Sequence, residues 1–412
     1  MMSARTGLHA PRLMMGATIF LGLTFFIPLL CIPPIDDVIR ETLSISYAQT
    51  GFLFAGAILM MALMAIPGGI IADRIGIKKA VSIGTFVIAG GALSRAFATD
   101  YSSLLAFNLV YGIGLGLVFP NLPKVVSALV PRERAGIATG LYGAGLMAGG
   151  ALALALTVPL VLPVTGTIQG VFLLWSIPSI VAAVLWWVVA AMHSNPVPGN
   201  TPVPRYSLAV REVLSSRNLW LVAILLLLHN FFIYTWIGWA PLMIRQTGAT
   251  TELAGVISSL ALWIAVPVAL LVPRIAFRLG VRKPFLWGPG IVMALAAVAA
   301  IYNTLILSWF LMLLVGIANS VRFPTILALP VEMTAKEMVG MASGLMISIG
   351  YIGAIIGPLL GGYILDLTAS LKICMIMLIA VSIGTAIVSF ILPETGCRTG
   401  AGDRYEVAFG CH

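Results

Sequence analysis

Residues 135–204 contain no Asp, Glu, Lys or Arg. A soluble domain could not leave so long a stretch uncharged, because charged residues are normally about a quarter of its chain. Across all 412 residues only 9% are charged and 60% are hydrophobic. A chain this apolar cannot cover its own surface in water, so its solvent is lipid. Coiled coils and soluble folds with apolar cores need charged outer faces, and these are missing.

A helix needs about 20 apolar residues to cross the hydrocarbon. The intervals between charges supply twelve such segments, at roughly 13–35, 46–72, 79–99, 102–130, 135–162, 168–192, 218–244, 252–275, 284–303, 305–331, 338–365 and 371–391. Turn residues place two of the boundaries: Pro163-Val164-Thr165-Gly166-Thr167, and Tyr302-Asn303-Thr304. The first apolar run is too long for a signal-peptide core and has no small-residue cleavage pattern, so it reads as a retained helix. Cys31, Cys374, Cys397 and Cys411 form no disulfide framework and no CxxC motif, and Cys411-His412 is too little for a metal site.

The net charge of +9 is explained by topology rather than by nucleic acid. No basic stretch carries the interleaved aromatics of a single-strand binder. With both termini on the cytoplasmic side, that side collects 17 of the Lys and Arg residues. The opposite side collects four, Arg40, Arg95, Arg245 and Lys372. This bias places both termini in the cytoplasm of a plasma (inner) membrane protein. The stretch from His193 to Arg217 holds Pro196, Pro198, Pro202 and Pro204, and cannot be one helix. It reads as a cytoplasmic linker, 193–217, between a six-helix half at 1–192 and a second at 218–412 that ends in a cytoplasmic tail. Part of the linker, Ser207 to Ser216, suits a short surface helix.

The chain also repeats itself. Asp73-Arg74-Ile75-Gly76-Ile77-Lys78-Lys79 returns as Phe277-Arg278-Leu279-Gly280-Val281-Arg282-Lys283, an offset of 277 − 73 = 204. The same offset carries Gly112 onto Gly316, Phe119-Pro120 onto Phe323-Pro324, and Gly136 onto Gly340. Copies of six crossings have the same topology, so they are parallel and related by an axis along the membrane normal. The expected fold is all-α, with twelve transmembrane helices in two parallel-repeat halves. Two such halves can rock about a central site.

The stretch from Gly69 to Lys79, Gly-Ile-Ile-Ala-Asp-Arg-Ile-Gly-Ile-Lys-Lys, resembles the signature loop of the major facilitator superfamily. The segments Ser46–Gly51, Pro131–Gly136 and Pro393–Thr395 are similar to other parts of that family. Helices 1, 4, 10 and 11 most resemble cyanate, nitrate/nitrite and organic-anion transporters. The resemblance implies a secondary transporter working by alternating access. It also implies that Gly69, Asp73, Arg74, Gly76, Lys78 and Lys79 form a cytoplasmic latch, with Asp73 facing the start of helix 11 near Met338. A carboxylate at a helix N-terminus is stabilised by about 0.3–1 kcal/mol when exposed, enough to bias an equilibrium. In the second copy Phe277 replaces the Asp, so the latch is expected to work from the first half.

Ionisable groups inside spans are costly and usually functional. The acidic residues all fall in loops or at helix ends, whereas Arg322 and Lys124 fall inside spans. Arg322 is too deep to snorkel, and its planar fork suits oxyanions. Asn319 and Thr325 share its face, and Asn121 shares that of Lys124. A structural bond to a backbone carbonyl competes with substrate contact at Arg322, and snorkelling competes at Lys124. His229 and Asn230 lie mid-helix with Tyr234 one turn on. A histidine there can carry a proton or simply pack. Tyr142 and Tyr351 complete the expected lining. A cavity that is positive and free of acid attracts anions. The expected substrate is a small inorganic or carboxylate anion, with a coupling proton as a candidate partner, membrane lipid around a monomer, and no cofactor, metal or enzyme chemistry. The competing reading is an exporter of drugs or hydrophobic solutes.

Overall fold

Polar residues at the membrane surface start the helices. In the computed structural model, Ser46, Asp100, Thr167, Ser216, Thr250 and Thr304 each accept the backbone N–H three residues on. Each satisfies a donor that neither lipid nor the helix itself could satisfy. The structure describes residues 3–129, 132–192, 213–268, 271, 281–334 and 338–395, and side chains of these except 3–12, 127–129, 132–139 and 340. Most of the linker (193–212), the tail from 396 and much of the second basic loop lie outside the described residues. Of the short helix expected before Ser216, residues 213–215 are described and helical.

Among the described residues, twelve helices are long and apolar enough to cross a membrane. They are α1 (Leu13–Leu43), α2 (Tyr47–Ile75), α3 (Ile77–Phe97), α4 (Tyr101–Val126), α5 (Gly140–Thr165), α6 (Ile168–Ala191), α7 (Arg217–Arg245), α8 (Thr251–Val268), α9 (Lys283–Ala300), α10 (Leu305–Met333), α11 (Met341–Thr368) and α12 (Leu371–Ile391). The basic loop after α2 marks one end of the bundle, called here the basic end. The far end carries the α1–α2 connection.

Several spans are interrupted. Regular helix in α1 stops at Phe25 and resumes through Ile27–Leu30, a 3-10 turn at Pro33–Ile35 and Asp36–Leu43. Pro28, Pro33 and Pro34 cannot donate, so carbonyls upstream lose their partners. Other helices supply them. Tyr111 Oη of α4 donates to Phe25 O at 2.6 Å, and Arg95 Nη1 of α3 donates to Pro28 O at 2.6 Å. Arg95 is therefore not the surface charge that its place near a helix end suggests. It is fully buried, with its guanidinium 4.9 Å from the Phe172 ring and 5.4 Å from the Tyr111 ring. Its sequence position gave no sign of the carbonyl it serves.

The 204-residue repeat is also a repeat of packing. A Cβ on Gly51 of α2 would stand 2.5 Å from Pro358 O of α11, and one on Gly255 of α8 would stand 2.6 Å from Leu154 O of α5. Both residues of each contact are related by the offset, since 255 − 51 = 358 − 154 = 204. Gly149 against Leu23 O likewise recurs as Gly353 against Leu227 O, which extends the repeat back to α1. Helices α1–α6 and α7–α12 are thus two parallel halves joined where bare helix backbones touch.

Candidate functional site

The residues expected to bind substrate separate into three groups. The first surrounds Arg322 in α10. Its guanidinium is fully buried and faces α12, where Nη1 donates to Thr385 Oγ1 at 3.0 Å, and Nη2 to Thr385 O at 3.2 Å and Ser389 Oγ at 3.3 Å. Close approach by α9 completes its enclosure, since a Cβ on Gly290 would stand 3.2 Å from Nη1. The structural bonding that competed with substrate contact is thus present, and Arg322 Nε keeps no partner. No carboxylate pairs with Arg322 among the described residues. A turn earlier on α10, Asn319 Oδ1 lies 3.1 Å from His229 Nε2 of α7, and His229 stacks on Phe323 at 5.9 Å. His229 is fully buried. Arg322, Asn319 and His229 therefore form one polar cluster, which the α10 spacing had brought only partly together.

The second group is aromatic and straddles the halves. Tyr234 of α7 lies 6.4 Å from Tyr351 of α11 and 6.4 Å from Phe54 of α2. Tyr142 of α5 is buried in the same apolar cluster as Tyr351 and Phe54. Asn230, next to His229, donates to Gly350 O at 3.1 Å and so holds α7 against α11. Phe54 was not singled out in sequence, because one Phe among many in an apolar helix carries no signal.

The third group is at the basic end. Lys124 Nζ lies 2.8 Å from Asp73 Oδ1, both half-exposed, so Lys124 is joined to the signature loop and not to Arg322. The expected partner of Asp73, the start of the eleventh helix near Met338, is replaced here by a lysine of its own half. Asn121 and Thr325 bond to helix backbone: Asn121 Nδ2 donates to Gly68 O of α2 at 3.2 Å and to Leu117 O of its own helix at 2.9 Å, and Thr325 Oγ1 to Val321 O at 2.8 Å. Of the other loop residues, Gly76 turns the chain with φ of +92°. Gly69 has open space where a Cβ would stand. Arg74 and Lys79 are exposed, and Lys78 is half-buried.

The far end holds charges that sequence reading placed at the surface. Asp36, only 2% exposed, lies 2.5 Å from Arg245 of α7 and 3.4 Å from Arg40. Arg245 also reaches Asp37 at 2.9 Å. Asp36 is therefore a buried acid between the halves and not a loop residue. The helix break at Pro33-Pro34, which turns it inward, was the available signal. Among the described residues no cluster of His, Cys, Asp and Glu could hold a metal ion.

These features can be set beside known proteins. The Major Facilitator Superfamily pattern matches residues 13–358 and 280–398. The uncharacterized transporter YycB of Bacillus subtilis is 29% identical over 84% of this chain and 85% of its own. The cyanate transport protein CynX of Escherichia coli is 25% identical over 92% of this chain and 98% of its own. Among solved structures, a bacterial homolog of the human lysosomal transporter Spinster superposes with TM-score 0.74 at 18% identity, covering 93% of this chain and 97% of the other. A D-xylose-proton symporter gives 0.74 at 16% identity, covering 93% and 98%. These structural likenesses are of fold. With its pattern matched over nearly all the helices, this chain belongs to the Major Facilitator Superfamily.

Proposed function

We propose that the protein is a secondary transporter of small anionic solutes, inorganic or carboxylate. One observation carries this reading: Arg322 places a full positive charge inside the second half, and no described carboxylate neutralises it. An unpaired buried charge is expensive in a membrane protein. Direct contact with the solute is not needed for that charge to act. At an effective dielectric near 20, a unit charge about 10 Å away attracts an anion by about 1.7 kcal/mol. His229 and Asn319 extend the polar face, and the Phe54, Tyr234 and Tyr351 rings offer an apolar wall between the halves. The names of relatives fit this class: one transports cyanate, another 3-(3-hydroxy-phenyl)propionate and a third hexuronate. The absence of any nucleotide-cradling loop leaves a gradient as the source of energy.

The rest of the reading follows the charge pattern. The basic end faces the cytoplasm of a plasma membrane, with both termini on that side. Residues 193–217 link a first half, 1–192, to a second, 218–412. One chain holds both halves, so a monomer suffices. A proton is a candidate coupling partner. The loop from Gly69 to Lys79 acts as the latch, and Asp73 exchanges its Lys124 partner for the N-terminal end of α11 when the basic end closes.

Ligand stabilisation tests the substrate class. Nitrate, nitrite, cyanate and small carboxylates are screened against purified wild type and Arg322→Gln, with lipophilic cations alongside. A true ligand raises the unfolding temperature in proportion to the logarithm of its concentration. The expected result is stabilisation of wild type by an anion, lost in Arg322→Gln while Arg322→Lys keeps part of it. Stabilisation by lipophilic cations alone, indifferent to Arg322, would overturn the anion reading in favour of an exporter of hydrophobic solutes.

A further inference from the structure

The far end is closed by two carboxylate contacts that join one half to the other, and neither lies in the signature loop. In the first, Asp36 and Asp37 of α1 hold Arg245 of α7 at 2.5 and 2.9 Å. Arg40, one turn beyond Asp36, keeps a third charge beside this pair at 3.4 Å and itself stacks on the Tyr47 ring at 3.8 Å. In the second, both oxygens of Asp366 at the end of α11 accept backbone N–H groups at the start of α2. Tyr47 N donates to Oδ1 and Ala48 N to Oδ2, each at 2.8 Å. The α2 N-terminus presents unpaired donors and a partial positive charge, so a carboxylate there is favoured twice over. Between the two contacts lies a small cavity bordered by Asp36, Thr50, Gly51 and Phe54 of the first half and Trp239 and Pro358 of the second. Backbone packing seals the same seam, with Gly51 against Pro358 and Gly362 against Tyr47.

The described ion pairs at the basic end are arranged differently. Asp73–Lys124 joins α2 to α4 within the first half, and Arg282–Glu332 joins α9 to α10 within the second. Among the described ion pairs, then, charge binds half to half at the far end and joins helices of one half at the basic end.

We propose that Arg245, with Asp36 and Asp37, and Asp366, with the α2 N-terminus, are the gate residues of the far end. They hold it shut, and both contacts must break before that end opens. The second contact is the device expected of Asp73 at the basic end, with helices exchanged: an α11 carboxylate caps α2, where an α2 carboxylate was expected to cap α11. The gate rests on the alternating-access reading of the family fold but not on the solute being an anion, because its test uses no substrate.

Thr50 reports on the gate. It is 3% exposed and lines the seam cavity, and Cys is close to Thr in size. The Thr50→Cys variant is made with Cys397 and Cys411 changed to Ser, while Cys31 and Cys374 stay buried. The purified protein is treated with a bulky maleimide, and the rate of thiol modification is measured. Arg245→Gln and Asp366→Asn should each speed labelling, and together by roughly tenfold or more, equivalent to about 1.4 kcal/mol of lost closure. Arg245→Lys keeps the charge and should restore slow labelling, which a merely packing role would not predict. If Arg245→Gln upsets folding, Asp366→Asn is the independent arm, since Asp366 is exposed and its loss leaves no buried charge. Labelling that stays at the starting rate in Asp366→Asn and in every folded Arg245 variant would overturn the proposal.

Discussion

Gly149 and Gly353 show how little a single residue can change before this fold refuses it. A Cβ on either would run into a backbone carbonyl of the facing helix, Leu23 O for one and Leu227 O for the other. Helix backbone has no rotamer to move aside, so the helices themselves must part. Gly149→Ala and Gly353→Ala should each cost about 2 kcal/mol or more. Thermal unfolding in detergent would check this, against Gly143→Ala as control, where open space surrounds the added methyl. At Arg322 the same scale of reasoning points to function. Its partners on α12 are neutral, so a Gln there can replace part of the bonding but none of the charge.

At the scale of the element, α1 is the instructive helix. Its prolines cut the helix near Phe26, and the freed carbonyls are answered by Tyr111 and Arg95 from neighbouring helices. In lipid no water would answer them. Tyr111→Phe removes one donor and leaves Phe25 O buried and unpaired, at a cost of about 1–3 kcal/mol. An unfolding temperature unchanged in that variant would show that the break is satisfied some other way. The prolines were plain in the sequence, but the identity of the donors was not, because Tyr111 and Arg95 lie far along the chain from the carbonyls they serve. The same holds for Asn121, whose shared face with Lys124 suggested a binding pair. Its amide reaches Gly68 O on α2 instead, a neighbour that only the packing supplies.

At the scale of the whole molecule, the described ion pairs join the two halves at the far end and lie within one half at the basic end. The orientation proposed from the Lys and Arg bias can be checked with single cysteines on each side. Thr99→Cys, exposed at the far end, should react with an impermeant thiol reagent in intact cells. Lys79→Cys, exposed at the basic end, should react only after permeabilisation. The reverse pattern would invert the topology, and with it the assignment of Asp73 to the cytoplasm.

The sequence by itself determined the number of crossings, the helical class and the twofold repeat. These rest on length, periodic absence of charge and matched Gly, Pro and basic positions, all of which are properties of a segment and its own solvent. It also marked Arg322, because a charge mid-span is visible without knowing its neighbours. Only the tertiary structure decided what each polar group bonds to. It turned Arg95 and Asp36 from apparent surface charges into buried ones, joined Lys124 to Asp73, and set Asp366 on the start of α2. The physical reason is that lipid makes an unpaired buried donor, acceptor or charge costly, but leaves open which helix provides the partner. That choice is made by how the helices pack.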